Sequence, residues 1–284
     1  MHIDLEKTFD NVSYKDKDSL ISYYENRKKK VYEALNRDPR PAHLQGLNEE
    51  EAFLRILSYS GLANILEIGY YFSYKANNPN EYNDALYTFA TLNTERTKLL
   101  SFGGDNSIMF KNIIDYLACN EYERAKELCS PLFGNSKKGH RFAICIFNLL
   151  QSILHSDKKL IDLALKDAEK FLQKKNPKLQ NNTIEFLIAL IDENEVNLNK
   201  QLDNIISNYK KSKWIHEYKT PILKHIGNFP IGLYKLAKFS LKEKNVNLII
   251  PNHEVIWKEF CELEQKAKPY IVFNQNLKGI NKYL

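Results

Sequence analysis

A chain of 284 residues is long enough to bury a substantial core, as one large domain or two small ones. With 10 glycines and 9 prolines it falls below the ~12% of average soluble chains, while 43% of its residues are hydrophobic and 27% charged, so disorder, collagen and turn-dense all-β folds are disfavoured. The net charge of +6 and the pI near 8.8 do not mark a dedicated nucleic-acid module, for which a pI above ~9 and a clustered basic stripe are expected.

The opening, Met1-His2-Ile3-Asp4-Leu5-Glu6-Lys7, has no basic region followed by an apolar one, and no run of ~18 apolar residues occurs anywhere. A cytoplasmic protein that does not span a membrane is expected. From Leu20 to Leu35, Tyr23, Tyr24, Val31, Tyr32 and Leu35 surround a solvated Arg27-Lys28-Lys29-Lys30 run, and Pro39-Arg40-Pro41 ends the pattern. Residues 1–47 therefore form an N-terminal helical element. Asn48 then stands as an N-cap three residues before Glu51, the pattern of a capping box. Phe53, Leu54, Leu57, Gly61, Ile65 and Ile68 follow on one helical face, predicting a long helix to about Ala76, where Asn77-Asn78-Pro79 stops it. Gly103-Gly104 before Asp105 and Ser107 reads as a C-cap followed by an N-cap.

From about residue 107 the sequence repeats. Asn120, Asp157 and Asn194 each open a helix after a short turn and lie 37 residues apart. The same step carries Phe110 onto Phe147 and Ile184, Ile113 onto Leu150 and Leu187, Leu117 onto Leu154 and Ile191, and Leu128 onto Leu165 and Leu202. The first three columns lie at helical intervals on a leading helix and the fourth on a trailing one, so each repeat is a helical hairpin. Hairpins are predicted near 107–133, 143–173 and 183–209, with a weaker copy upstream, where Asn80-Glu81-Tyr82, Ala85 and Leu92 match Asn120-Glu121-Tyr122, Ala125 and Leu132. The expected fold is all-α: an irregular α-α superhelix of stacked hairpins over residues 48–284, similar to the tetratricopeptide class but without its 34-residue pattern of Trp, Gly, Tyr and Pro. Val246–Ile250 and Tyr270–Phe273 are short extended segments, as readily loops as strands.

Motifs of chemistry are missing. Neither GxxxxGK[ST] nor GxGxxG is present, and no two of the seven histidines share a helix at a ligand spacing with a third donor. His253-Glu254 are neighbours that point to different helix faces. Cys119, Cys129, Cys145 and Cys261 lack CxxC spacing and read as small buried hydrophobes of a reducing compartment. No catalytic residue, cofactor or metal is therefore assigned, and an enzyme is not expected. Ten lysines between Lys200 and Lys244 face only Asp203, Glu217 and Glu243. Without interleaved arginines and aromatics they read as solvated helix faces and not as a nucleic-acid track. Within this region Tyr209, Lys213, Trp214 and Tyr218 place aromatics in a polar connection after the third hairpin, the kind of residue that anchors interfaces. The same Trp214 also suits the role of closing the apolar end of the array.

After the hairpins come Gly232-Leu233-x-x-Leu236-Ala237 and then Ile249-Ile250-Pro251. This order, with helical hairpins and acidic turns before it, resembles the immunity protein 49 family of bacterial polymorphic toxin systems over roughly residues 50–265. The resemblance implies an all-α cytosolic antidote that binds and neutralises a toxin encoded by a neighbouring gene, with no catalytic residues. A basic chain departs from the acidic surface expected of an inhibitor that mimics nucleic acid. The alternative expectation is a scaffold or peptide-sensing regulator holding an extended peptide in a concave groove.

Overall fold

The computed structural model describes residues 5–10, 12–57, 59–100, 105–216, 221–244, 246–273 and 275–284. The protein is 69% helical, and among the described residues there is no strand. In chain order the α-helices are α1 (Leu5–Phe9), α2 (Lys17–Leu35), α3 (Glu49–Ile56), α4 (Tyr59–Lys75), α5 (Asn80–Leu99), α6 (Phe110–Ala118), α7 (Tyr122–Leu128) and α8 (Arg141–His155). They continue as α9 (Lys158–Leu172), α10 (Lys178–Ile191), α11 (Glu195–Tyr209), α12 (Lys213–His216), α13 (Pro221–Lys224), α14 (Asn228–Ser240) and α15 (Lys258–Glu262). The chain divides into two compact units, one of Met1–Ser101, Tyr218–Leu223 and Ala267–Leu284, the other of Phe102–Glu217 and Lys224–Lys266.

In the first unit, α2 opens with a capping box. Asp16 Oδ1 accepts from the Ser19 N–H at 2.7 Å and Ser19 Oγ accepts from the Asp16 N–H at 3.3 Å. Leu20, Tyr24 and Val31 bury its inner face, while Arg27, Lys29 and Lys30 are exposed as the solvated run required. Asn48 and Glu51 make the predicted capping box, both bonds at 2.9 Å. The helix it opens is not one rod: α3 ends at Ile56, and Leu57 turns extended with ψ near 120°. Arg96 of α5 supplies the reason, its Nε donating to the Leu57 carbonyl at 2.5 Å and so filling an acceptor that helix continuation would have used. The apolar register survives the break, since Phe53, Leu54, Leu57, Ile65 and Ile68 are all buried.

The turn after α4 carries Asn77 at φ +48°, and α4 then packs antiparallel on α5 so closely that a Cβ on Gly69 would lie 2.3 Å from the Ala85 Cβ. This is the upstream hairpin copy, with Tyr82, Ala85 and Leu92 buried. Its match ends at Leu132, which is 95% exposed. Asp84 and Thr88 on α5 are buried and polar, and the segment after Ala267 satisfies them. The Lys268 N–H donates to Asp84 Oδ1 at 2.9 Å and the Tyr270 N–H to Thr88 Oγ1 at 2.8 Å. Tyr270–Phe273 is thus an extended strap on a helix.

The second unit holds the repeats. The pairs α6–α7, α8–α9 and α10–α11 are the three predicted hairpins. Each turn passes through the left-handed region, at Asn120 (φ +65°), Ser156 (φ +50°) and Glu193 (φ +53°). Asp157 and Asn194 are N-caps as expected, Asp157 Oδ1 accepting from Lys159 N–H at 2.8 Å and Asn194 Oδ1 from Asn197 N–H at 3.1 Å. Asn120 is not. Its Nδ2 instead donates to the carbonyls of Leu263 (2.9 Å) and Gln265 (3.2 Å), clamping the segment after α15, and the cap position passes to Glu121. The first two columns are buried throughout. In the third, Leu117 and Leu154 are buried but Ile191 is only half-buried, because no fourth hairpin follows to cover the end of α10. In the fourth, Leu202 is buried whereas Leu128 and Leu165 are half-exposed.

That last difference marks where the unit departs from an open superhelix. Helix α14 packs on α11 and, far more extensively, back on α6, so that contacts run α6–α8–α10–α11–α14–α6 in a closed ring with α7 and α9 outside it. Residues Asn228–Ala237 are all buried. Gly232 makes the closure possible: a Cβ there would meet the Ile114 carbonyl oxygen at 2.4 Å and the Ile114 Cγ2 at 2.7 Å. The Gly-Leu-x-x-Leu-Ala sequence is therefore a helix-crossing device. Gly232→Ala is expected to cost about 1–3 kcal/mol by overpacking, read as a fall in the thermal midpoint; an unchanged melt would show that α14 does not approach α6 this closely.

Candidate partner-binding surface

Of the four residues expected to bind a partner, the three that are described, Tyr209, Lys213 and Trp214, differ in exposure. Tyr209, at the end of α11, is fully buried, and its hydroxyl donates to the Ile226 carbonyl at 2.9 Å. Burial pushes its pKa well up, so it is a neutral structural donor. Trp214, on α12, is half-buried among Phe110 of α6, Phe142 of α8 and Phe229 of α14, with ring centroids 6.3, 5.3 and 5.8 Å away. The indole thus packs against three helices of the ring, edge-on to Phe142 and Phe229, a favoured aromatic geometry. Lys213 beside it is exposed. Tyr218 lies outside the described residues, as do Gly103-Gly104, although Asp105 does cap the following 3-10 turn by accepting from the Ser107 N–H at 2.9 Å.

The lysine-rich stretch is less cationic in space than in sequence. Glu254 pairs with Lys210, Glu264 with Lys238 at 2.8 Å and Glu193 with Lys244 at 3.1 Å, all three carboxylates coming from outside the stretch. Lys210 holds the Glu254 carboxyl down to about 2. Lys235 is not on the surface at all. It is 1% exposed, its Nζ is 4.4 Å from the Phe260 ring centre with no hydrogen-bond partner, and burial lowers its pKa to about 8.

Four of the seven histidines meet backbone groups. His140 and His253 accept from N–H groups two residues on, both at 3.3 Å, while His155 and His216 meet the carbonyls of Lys126 and Tyr209. Among the described residues no group of histidine, cysteine and carboxylate side chains could hold a metal ion. All four cysteines are free and buried, and burial pushes the thiols of Cys129, Cys145 and Cys261 up to about 12, the opposite of an activated nucleophile. No helix among the described residues is long and apolar enough to cross a membrane.

One concavity opens on the outer side of the second hairpin. Between the start of α8 and the end of α9 lies a cleft of about 310 Å³, floored by Ser136, Ile144, Cys145 and Phe171. Lys137, Arg141, Lys170 and Lys174 stand around it with Asp167. Asp167 is engaged by Lys170 at 3.6 Å. Arg141 is held over the Phe171 ring, 5.4 Å from its centre, and donates from Nη2 to Asn176 Oδ1 at 3.4 Å. In the sequence these cations are spread over 38 positions among acidic residues, so no local pattern marks the cluster. Comparison of the chain with family models, curated proteins and solved structures found no match.

Proposed function

We propose that this protein is a binding module that neutralises a toxin domain by covering its active site, as the resemblance to the immunity protein 49 family implies. It acts by occlusion and not by chemistry of its own. The observation that supports this most is the closed ring of the second unit: α14 packs on both α6 and α11, which braces the helices that present the outer surface and lowers the ordering cost of recognition. A standard occluding interface buries about 1,200–2,000 Å² with a few anchors near its centre. The scaffold or peptide-sensing alternative needs an open groove along the hairpins, and α14 takes up the packing faces of α6 and α11 that would help to line one.

The test is co-expression with the toxin domain encoded beside this gene. Cells carrying both should grow, and cells carrying the toxin alone should not. Of the three described candidates on the 209–218 face, Lys213 is the exposed one, and Lys213→Glu should weaken protection if that face contributes. Failure of the parent chain to protect, with both proteins expressed and folded, contradicts the proposal.

A further inference from the structure

We propose that the cleft between α8 and α9 receives an acidic protein segment bearing one large apolar side chain; this assignment rests on the neutralising role above and makes the cleft the toxin's docking point. Its floor and rim make different demands. Half-buried Ile144, above the buried Cys145 and Phe171, is the apolar part of the floor, and the Ser136 hydroxyl beside it already donates to the Lys138 carbonyl at 3.3 Å, so no donor is left there to pair and the deepest part of the occupant must be apolar. A volume near 310 Å³ sits at the lower end of ligand-sized pockets, which suits one inserted side chain and excludes a large cofactor.

The rim then fixes the sign of what flanks that side chain. Four cations face one carboxylate, and the Asp167–Lys170 pair cancels within itself. Lys137 and Lys174 are exposed and carry no ion pair among the described residues, and Arg141 is held in place by the Phe171 ring and Asn176. The partial positive charge at the start of the fifteen-residue α8 adds to theirs. Carboxylates on either side of the inserted residue match this arrangement, and a like-charged segment is repelled. A nucleic acid fits less well, because Arg141 already lies over the Phe171 ring, 5.4 Å from its centre, leaving no free face on which a base can stack.

The full-length protein is titrated with a blocked synthetic peptide, Glu-Asp-Phe-Asp-Glu, and with its Gln/Asn counterpart, following the Ile144 methyl and Phe171 signals by NMR. The acidic peptide should shift both signals saturably, the neutral peptide at least tenfold more weakly, and the response should collapse near 1 M salt, where screening acts over about 3 Å. The double variant Lys137→Glu/Lys174→Glu should melt like the parent, because both side chains are exposed, yet lose the response and protect cells at least tenfold less well against the neighbouring toxin. Equal shifts with both peptides, a response retained in the double variant, or stronger shifts from a DNA oligonucleotide overturn the acidic-segment assignment. Full protection by the double variant overturns the docking assignment while leaving neutralisation standing. Failure of the parent to protect removes the neutralising role, and the peptide titration then still decides the chemistry of the cleft.

Discussion

Lys235→Met should make the protein more stable at pH 7, by up to about 3 kcal/mol. The lysine is buried in α14 against Phe260, with the Cys119 and Cys261 thiols and the like charge of Lys238 around it. Its pKa is lowered to about 8 from 10.5, by burial first. Below pH 8 the amine is charged in both states, and the folded state bears the full cost of an ammonium removed from water. From pH 8 to 10.5 the folded protein releases the proton while the unfolded chain keeps it, so this group's contribution rises with pH and then levels off. Buried thiols and tyrosines pull the other way at alkaline pH, but they are common to parent and variant. The difference between the two unfolding free energies therefore isolates Lys235. It should be largest at pH 7 and shrink steadily toward pH 10.5. A variant that is less stable at pH 7, or a difference that does not change with pH, means that the ammonium is solvated or paired. Removing a buried charge in favour of an apolar side chain of similar length is stabilising on general grounds.

Leu154→Ala should cost about 2–5 kcal/mol, since the side chain is buried and the hairpins around it have little room to close the cavity. Ile191→Ala, the same column one repeat later, should cost clearly less because that side chain is half-exposed. Urea unfolding of both variants gives the comparison. A loss below about 1 kcal/mol for Leu154→Ala means that the 37-residue register does not organise the core.

What the sequence makes legible is local. Hairpin turns announce themselves through Asp157 and Asn194, because a cap and the helix it starts are neighbours in the chain, and Phe147 and Leu150 are recognisable as core from helical spacing alone. What it conceals depends on distant partners. Asn120 resembles the other two turn residues but is diverted by the carbonyls of Leu263 and Gln265. The break at Leu57 is made by Arg96. The ring closure depends on Gly232 meeting Ile114, and nothing in either residue's own neighbourhood announces that meeting. Charge was the least legible property. The stretch densest in lysine is offset by Glu193, Glu254 and Glu264 and hides Lys235, whereas the cleft gathers Lys137, Arg141, Lys170 and Lys174 from a stretch of mixed charge. The same holds for the expected anchors: Tyr209 and Trp214 are aromatic in a polar context, yet Ile226 and three phenylalanines from other helices turn both inward.

Neutralisation by occlusion has a direct test in a stoichiometric titration. Purified protein is added in steps to a fixed, high concentration of the toxin domain encoded beside it, and residual toxin activity is measured after each step. Occlusion predicts a straight fall in activity ending at one protein per toxin, with active toxin recovered when the complex is dissociated. Neutralisation by far less than one equivalent, toxin that stays inactive after dissociation, or activity that never falls would each contradict it.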